Sequence, residues 1–362
     1  MNEEKTQPKK LRNYAFAEGY LRECSLERGT TKSGTPCLKG EVVIATSRFN
    51  SQRIRVFAFR ETRDGKVDKK YESLETLLSP NVTSIASYLG TLPEAPSIDQ
   101  LDQGLWEAAT KVATKVWISG SLEEYLTIST DDSGAERETS SFSFRGTNGG
   151  IKKDDAKHPF NPRVTADIDG RIVAIRDEVK RVEGSEEPQE TGRSVIELLF
   201  IDYKNVGEKF KIYASDEQIS PELGSYADYV KDNYEVGQTA KFTVAVVNLV
   251  EVRTVEPKQK GWGAASGPIT TTRFVHELRL IGGRTAGGIS EGEEGYIGND
   301  EAKVALASRS IAGKENGEQR GRKNAAKPAS SKGFGASMDS APASADDVIG
   351  NSNFPSFDTA DF

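Results

Sequence analysis

Arg53, Arg55, Phe57 and Phe59 alternate along the chain with Ile54, Val56 and Ala58. Successive side chains of a strand point to opposite faces. An extended backbone here puts two guanidinium groups and two rings on one face and small apolar groups on the other. Lys209, Lys211 and Tyr213, interleaved with Phe210, Ile212 and Ala214, repeat the arrangement. Such a face does non-covalent chemistry: cations track a row of phosphates, and rings stack on unpaired bases at about 1–3 kcal/mol per base. A solvated strand ending in a ring accounts for one copy; two copies in matching places favour binding. Covalent chemistry has less support. His158 and His276 lie far apart, and the sequence has no CxxC, HExxH, P-loop or GxGxxG pattern. The expectation is a non-enzymatic chain with no cofactor and no metal.

Two loops add to the binding reading. One, Ser25 to Lys39, carries Arg28, Lys32 and Lys39 among Gly, Thr and Ser. The other runs from Glu256 through Lys258, Lys260 and Trp262 to Thr272 and Arg273. Trp262, between two glycines, either stacks on a base or anchors its own loop. Trp106 and Trp117, in helix- and strand-like surroundings, read as core.

The elements that must hold these residues are short runs rich in β-branched and aromatic residues. The pattern predicts strands near 14–24, 39–47 and 53–61, a helical stretch through Leu74, Leu77, Leu78, Ile85, Tyr88 and Leu89, then strands near 115–128 and 139–145. The second half predicts strands near 164–182, 194–203 and 208–215, a helix near 223–234, and strands near 239–254 and 270–281. Three strands, a helix and two strands is the order of an OB-fold, a five-stranded, partly open Greek-key barrel. The expected fold is therefore mainly β: two tandem five-stranded OB-type barrels, each with one helix between strands three and four, plus a disordered C-terminal tail. The halves also resemble each other. Glu41 to Ala45 matches Glu197 to Ile201, and Arg53 to Ala58 matches Lys209 to Ala214, both at an offset of 156 (41 to 197, 53 to 209).

The chain has 362 residues and a net charge of −7, unevenly spread. Residues 1–70 hold 16 Lys and Arg against 9 Asp and Glu, residues 303–335 hold 8 against 2, and residues 336–362 hold 5 Asp and no base. That asymmetry suggests a localised basic surface on an otherwise acidic body. No apolar run is long enough to span a bilayer, and the polar start is no secretory signal, so a cytoplasmic setting is expected. Cys24 and Cys37 are a reduced pair or a disulfide, and an unsecreted chain favours the first. The expected organisation is a flexible N-terminus (1–13), a first OB-like domain (14–146), a linker (147–162), a second OB-like domain (163–284), a transition segment (285–309), a disordered linker (310–352) and an acidic-aromatic tip (353–362).

Tandem barrels, a Gly/Ala/Lys/Ser linker and a tip closing on Asp361-Phe362 resemble bacterial and phage single-stranded-DNA-binding proteins. Thr31-Lys32-Ser33-Gly34-Thr35-Pro36 also looks like a turn of OB nucleic-acid binders. The resemblance implies sequence-independent binding and protection of single-stranded DNA in replication or recombination, in the host cytoplasm if the protein is phage-encoded. It implies that Phe354, Phe357, Asp358, Asp361 and Phe362 dock replication or recombination proteins, and it leaves room for a homo-oligomer. The tip departs from the bacterial pattern: its acids are dispersed, it lacks an Ile-Pro-Phe ending, and one chain carries two barrels. Those departures favour a phage protein. The rival reading is an OB-containing structural or adaptor protein that binds protein, which a fold alone does not exclude.

Overall fold

The computed structural model describes residues 11–62, 64–93, 101–130, 134–153, 155–180, 188–255 and 269–325, without the side chains of 251–272 and 319–325. The fold is mainly β. The first half contains β1 (Asn13–Cys24), β2 (Glu27–Thr30), β3 (Pro36–Ser47), β4 (Asn50–Phe59), β5 (Lys115–Thr130) and β6 (Glu136–Ile151). The second contains β7 (Arg163–Lys180), β8 (Gln189–Ile201), β9 (Gly207–Ala214), β10 (Gln218–Ser220), β11 (Gly224–Ser225), β12 (Thr239–Val255) and β13 (Ile269–Gly283). Among the described residues eleven strands form one hydrogen-bonded sheet, and β10 and β11 form a separate two-stranded pair.

The pairings run in two matching circuits. In the first, β1 pairs β3, β3 pairs β4, β4 pairs β6 in parallel, β6 pairs β5, and β5 returns to β1. In the second, β7, β8, β9, β13 and β12 follow the same path, again with one parallel step, β9 to β13. The first strand of each circuit must bend to serve two neighbours, and a glycine marks the bend. A Cβ on Gly19 would lie 2.5 Å from the Ala45 carbonyl oxygen, and one on Gly170 2.7 Å from that of Leu199. Both circuits close around alternating apolar residues. Ile54, Val56, Phe144, Phe210, Ile212 and Leu278 are buried in one continuous core, each large side chain contributing about 1.5–3 kcal/mol relative to exposure.

β1 also pairs β7 antiparallel, from Asn13↔Ile168 to Glu18↔Arg163, so the two circuits share a sheet. Each long hairpin reaches onto the other half. On the β12–β13 hairpin, Leu249 bridges to Asn50, and the Asn248 side chain donates to the Ser51 carbonyl at 2.7 Å. His276 stacks on Phe142 at 3.9 Å. On the β5–β6 hairpin, Glu124 accepts from the Lys209 backbone N–H at 2.8 Å.

The structure corrects several expectations. Between β4 and β5 the first half holds not one helix but α1 (Lys69–Glu75), a 3-10 turn (Thr76–Leu78), α2 (Ile85–Leu89) and α3 (Gln103–Val112). The second half holds α4 (Tyr226–Asn233), started by the Ser225 side chain, which accepts from the Asp228 N–H. β6 extends through the glycines to Ile151, so it overruns the expected linker start at 147. Trp117 is only half-buried, and Trp106, also half-buried, packs against the cluster of Ala45, Ile85 and Leu89.

The largest correction is α5 (Asn299–Ala325), which overlaps the segment expected to be disordered from 310. Its start is tied to Arg171, whose guanidinium donates to the Asn299 side chain at 2.5 Å, to the Tyr296 hydroxyl at 3.1 Å and to the Ile297 carbonyl. Farther along, small residues replace bulky anchors. Ala305 lies over Gly207, and the Cβ positions of Gly313 and Gly317 point into Leu126 and Ile128 of β5. Few large apolar side chains are buried because the helix backbone itself approaches the sheet.

Candidate nucleic-acid interface

Outward residues of β3, β4 and β6 make the first face. Register sets Lys39 beside Phe57, Glu41 beside Arg55, and Arg55 beside Arg145. Ile54, Val56 and Ala58 point inward and are buried, the alternation read from the sequence. Phe57 and Phe59 meet edge to face at 5.0 Å, and Phe59 stays exposed. Most cations here have carboxylate partners: Arg53 with Glu41 at 2.7 Å, Arg145 with Glu123 at 2.9 Å, Lys39 with Glu27 at 3.4 Å and Arg28 with Glu75 at 2.7 Å. Lys32 sits in the β2–β3 turn, closed by the Thr31 N–H donating to the Thr35 carbonyl at 2.9 Å. Solvent-exposed ion pairs contribute about 0–1 kcal/mol. A phosphate exchanging for such a carboxylate therefore meets little resistance.

The second face differs from its sequence reading at one end. Tyr213 is half-buried with the Arg193 guanidinium 4.6 Å from its ring centre. Arg193 donates to Glu277 at 3.1 Å, and Glu277 also holds Arg279. Burial would raise the Glu277 carboxyl, but the bonds from Arg279 and Arg193 outweigh it and hold the group below the usual carboxylate range. Burial, then the charges of Glu178 and Glu277, push the Tyr213 hydroxyl up, so it stays neutral at physiological pH. Lys211 is exposed. Lys209 is drawn into the joint between halves, 3.6 Å from Glu197 and 3.8 Å from Glu138. Beyond Lys209 the face groups Lys211, Tyr213, Arg193 and Arg279.

Arg145, Arg193 and Arg279 were not singled out in the sequence. Arg193 lies at the alternate position before Val195 and Glu197 on β8, a signal that was available. Arg279 follows its glutamate by two residues, and only the parallel β9–β13 pairing places it beside Tyr213. Arg273 is exposed near the start of the described side chains of β13. Lys258, Lys260 and Trp262, and Phe354, Phe357, Asp358, Asp361 and Phe362, lie outside the described residues.

At the Lys209 end of the second face, α5 and the β5–β6 hairpin form a charged joint. Arg309 donates to Glu124 at 2.6 and 2.7 Å and to Glu138 at 2.7 and 3.2 Å. Glu208, beside it, is pushed up to about 8 by burial and then by the charges of Glu123, Glu124 and Asp202. Among the described residues, no three His, Cys, Asp or Glu side chains are grouped to hold a metal ion. Cys24 and Cys37 are free thiols. No helix among the described residues is long and apolar enough to cross a membrane.

Together these features define a mainly β protein of two matched, interlocked halves, each presenting strands that mix rings with cations. The chain belongs to the YorF family, whose model matches residues 12–316. No curated protein matches it. Among solved structures it is similar to the single-stranded DNA binding protein from Thermus aquaticus. A deletion mutant of that protein is 12% identical, with a TM-score of 0.34 and coverage of 75% of this chain and 92% of that one. The wild-type protein is 11% identical, with a TM-score of 0.32 and coverage of 78% and 97%. Those scores fall short of a shared overall fold.

Proposed function

We propose that the chain binds single-stranded DNA without sequence preference, using each strand circuit as an OB-type barrel. The carrying observation is the repetition of one face: Arg53, Arg55, Phe57 and Phe59 on β4, and Lys211 and Tyr213 with Arg193 and Arg279 on β9 and its neighbours. The strand order supports the barrel reading, because a five-strand circuit with three antiparallel steps, a parallel step and an antiparallel return to the first strand follows a Greek-key path. On the first face weak surface ion pairs keep the cations available to phosphates, and the rings of both faces tolerate any base. In this reading the protein protects single strands in phage replication or recombination, and residues 353–362 dock partner proteins.

The carboxylates on both faces favour a second reading, in which the faces bind a protein of mixed charge. A fluorescence-quenching titration with oligo-dT at low and at physiological salt separates the two. Quenching that weakens as salt rises supports DNA binding; no quenching at either salt supports the adaptor.

A further inference from the structure

Two exposed rings stand in equivalent places, and neither belongs to the faces above. The β3–β4 turn carries Phe49, 39% exposed, with the Arg48 guanidinium 4.1 Å from its ring centre. The β8–β9 turn carries Tyr203, 75% exposed, with the Lys204 ammonium 5.6 Å from its ring centre. Neither ring joins a hydrophobic cluster.

Both turns are held rigidly. Asn50 N–H donates to the Ser47 hydroxyl at 3.1 Å, and the Phe49 carbonyl accepts from Val250 N–H at 3.0 Å, which ties this turn to the β12–β13 hairpin of the other half. In the second turn one Asp202 oxygen accepts from Lys204 N–H at 2.8 Å and Val206 N–H at 2.7 Å, and Asn205 takes a φ of 61°. Close by, Lys209 N–H reaches Glu124 of the β5–β6 hairpin, again from the other half. Each exposed ring thus sits on a fixed backbone where one half meets the long hairpin of the other. Fixing a ring beforehand removes ordering cost from binding, and a cation beside it suits a phosphate next to a stacked base.

We propose that Phe49 with Arg48, and Tyr203 with Lys204, are a matched pair of base-stacking contacts for single-stranded nucleic acid, placed where a strand passes from one half to the other. This inference rests on the DNA-binding reading and adds contacts that the two faces lack. The test uses the full chain, a long oligo-dT at fixed low salt, and variants F49A and Y203A. Each variant should weaken binding by roughly 5- to 100-fold and melt at the wild-type temperature, because both side chains are exposed. F49W and Y203W should keep affinity, and each new indole should be quenched on binding. Wild-type affinity in both alanine variants, or new indoles that stay bright on bound protein, overturns the proposal while the DNA-binding reading stands. A change in oligomeric mass with affinity retained also overturns it, and marks the turns as a contact between copies. If the unaltered chain binds no oligo-dT, both readings fall.

Discussion

Replacing Arg309 by alanine tests whether α5 is an integral strap of the fold. The side chains of Arg309 and Glu124 are 6% and 3% exposed, whereas that of Glu138 is 44% exposed. Removing one partner from a buried ion pair costs about 3–5 kcal/mol, because the other charge is left uncompensated. Glu124 keeps the Ser140 hydroxyl and the Lys209 N–H as donors, which places its loss near the lower end, about 3 kcal/mol. The Glu138 arm, being solvated, adds a few tenths at about the scale of a surface pair. Against a total stability of about 5–15 kcal/mol, R309A should shift the urea midpoint strongly at pH 7. R309M combined with E124Q should recover much of the loss, since no buried charge is then left alone. Acid should narrow the gap between wild type and R309A. The Arg309 hydrogen bond is the main cause holding the Glu138 carboxyl below its ordinary value of 4.5. The stability linked to a depressed carboxyl is present above its unfolded value and is lost as pH falls through the folded one. A loss under about 1 kcal/mol in R309A would refute the strap, and with it the close seating of α5 on β5.

Glu208 has the opposite sign. Its folded pKa of about 8 lies above the ordinary 4.5, so the stability from proton uptake is full below 4.5 and is lost as pH rises through 8. E208Q should therefore be more stable than wild type at pH 9, by on the order of 2 kcal/mol, in a thermal or urea titration. G317A should destabilise by about 1–3 kcal/mol although alanine favours helix by about 1 kcal/mol, because the new methyl would lie 2.1 Å from the Ile128 carbonyl; a gain in melting temperature would show that α5 is not so seated. Deleting residues 353–362 should leave DNA affinity equal or slightly higher at low salt while abolishing co-purification of partner proteins, and loss of DNA binding would place the tail inside the site.

Alternation was the most legible signal. Arg53 to Phe59 and Lys209 to Ala214 were readable as two-faced strands because a period of two depends only on local sequence. The 156-residue offset matches the register, since Val42 faces Ile54 as Leu198 faces Phe210. The long-range surroundings were not legible. Lys209 reads as a phosphate contact from its strand alone, and the other half's hairpin also brings Glu138 within 3.8 Å of it, which no local pattern encodes. Arg145 comes beside Arg55, and Arg279 beside Tyr213, only through the parallel strand pairings. α5 was hidden because its Gly, Ala and Lys composition is that of a solvated linker, and the compensating contacts, backbone against β5 and Arg309 between two glutamates, depend on partners about 170 to 190 residues away in sequence.

The most direct test of the central claim is the salt dependence of oligo-dT binding in the wild type and in the R55A/K211A double variant. For single strands the slope of log K against log salt is about −0.7 for each phosphate neutralised. The wild type should bind with a clear negative slope, and the double variant should bind more weakly with a slope shallower by about 1.4. A wild type that does not bind, or a double variant with an unchanged slope, would contradict the assignment of these two faces to single-stranded DNA.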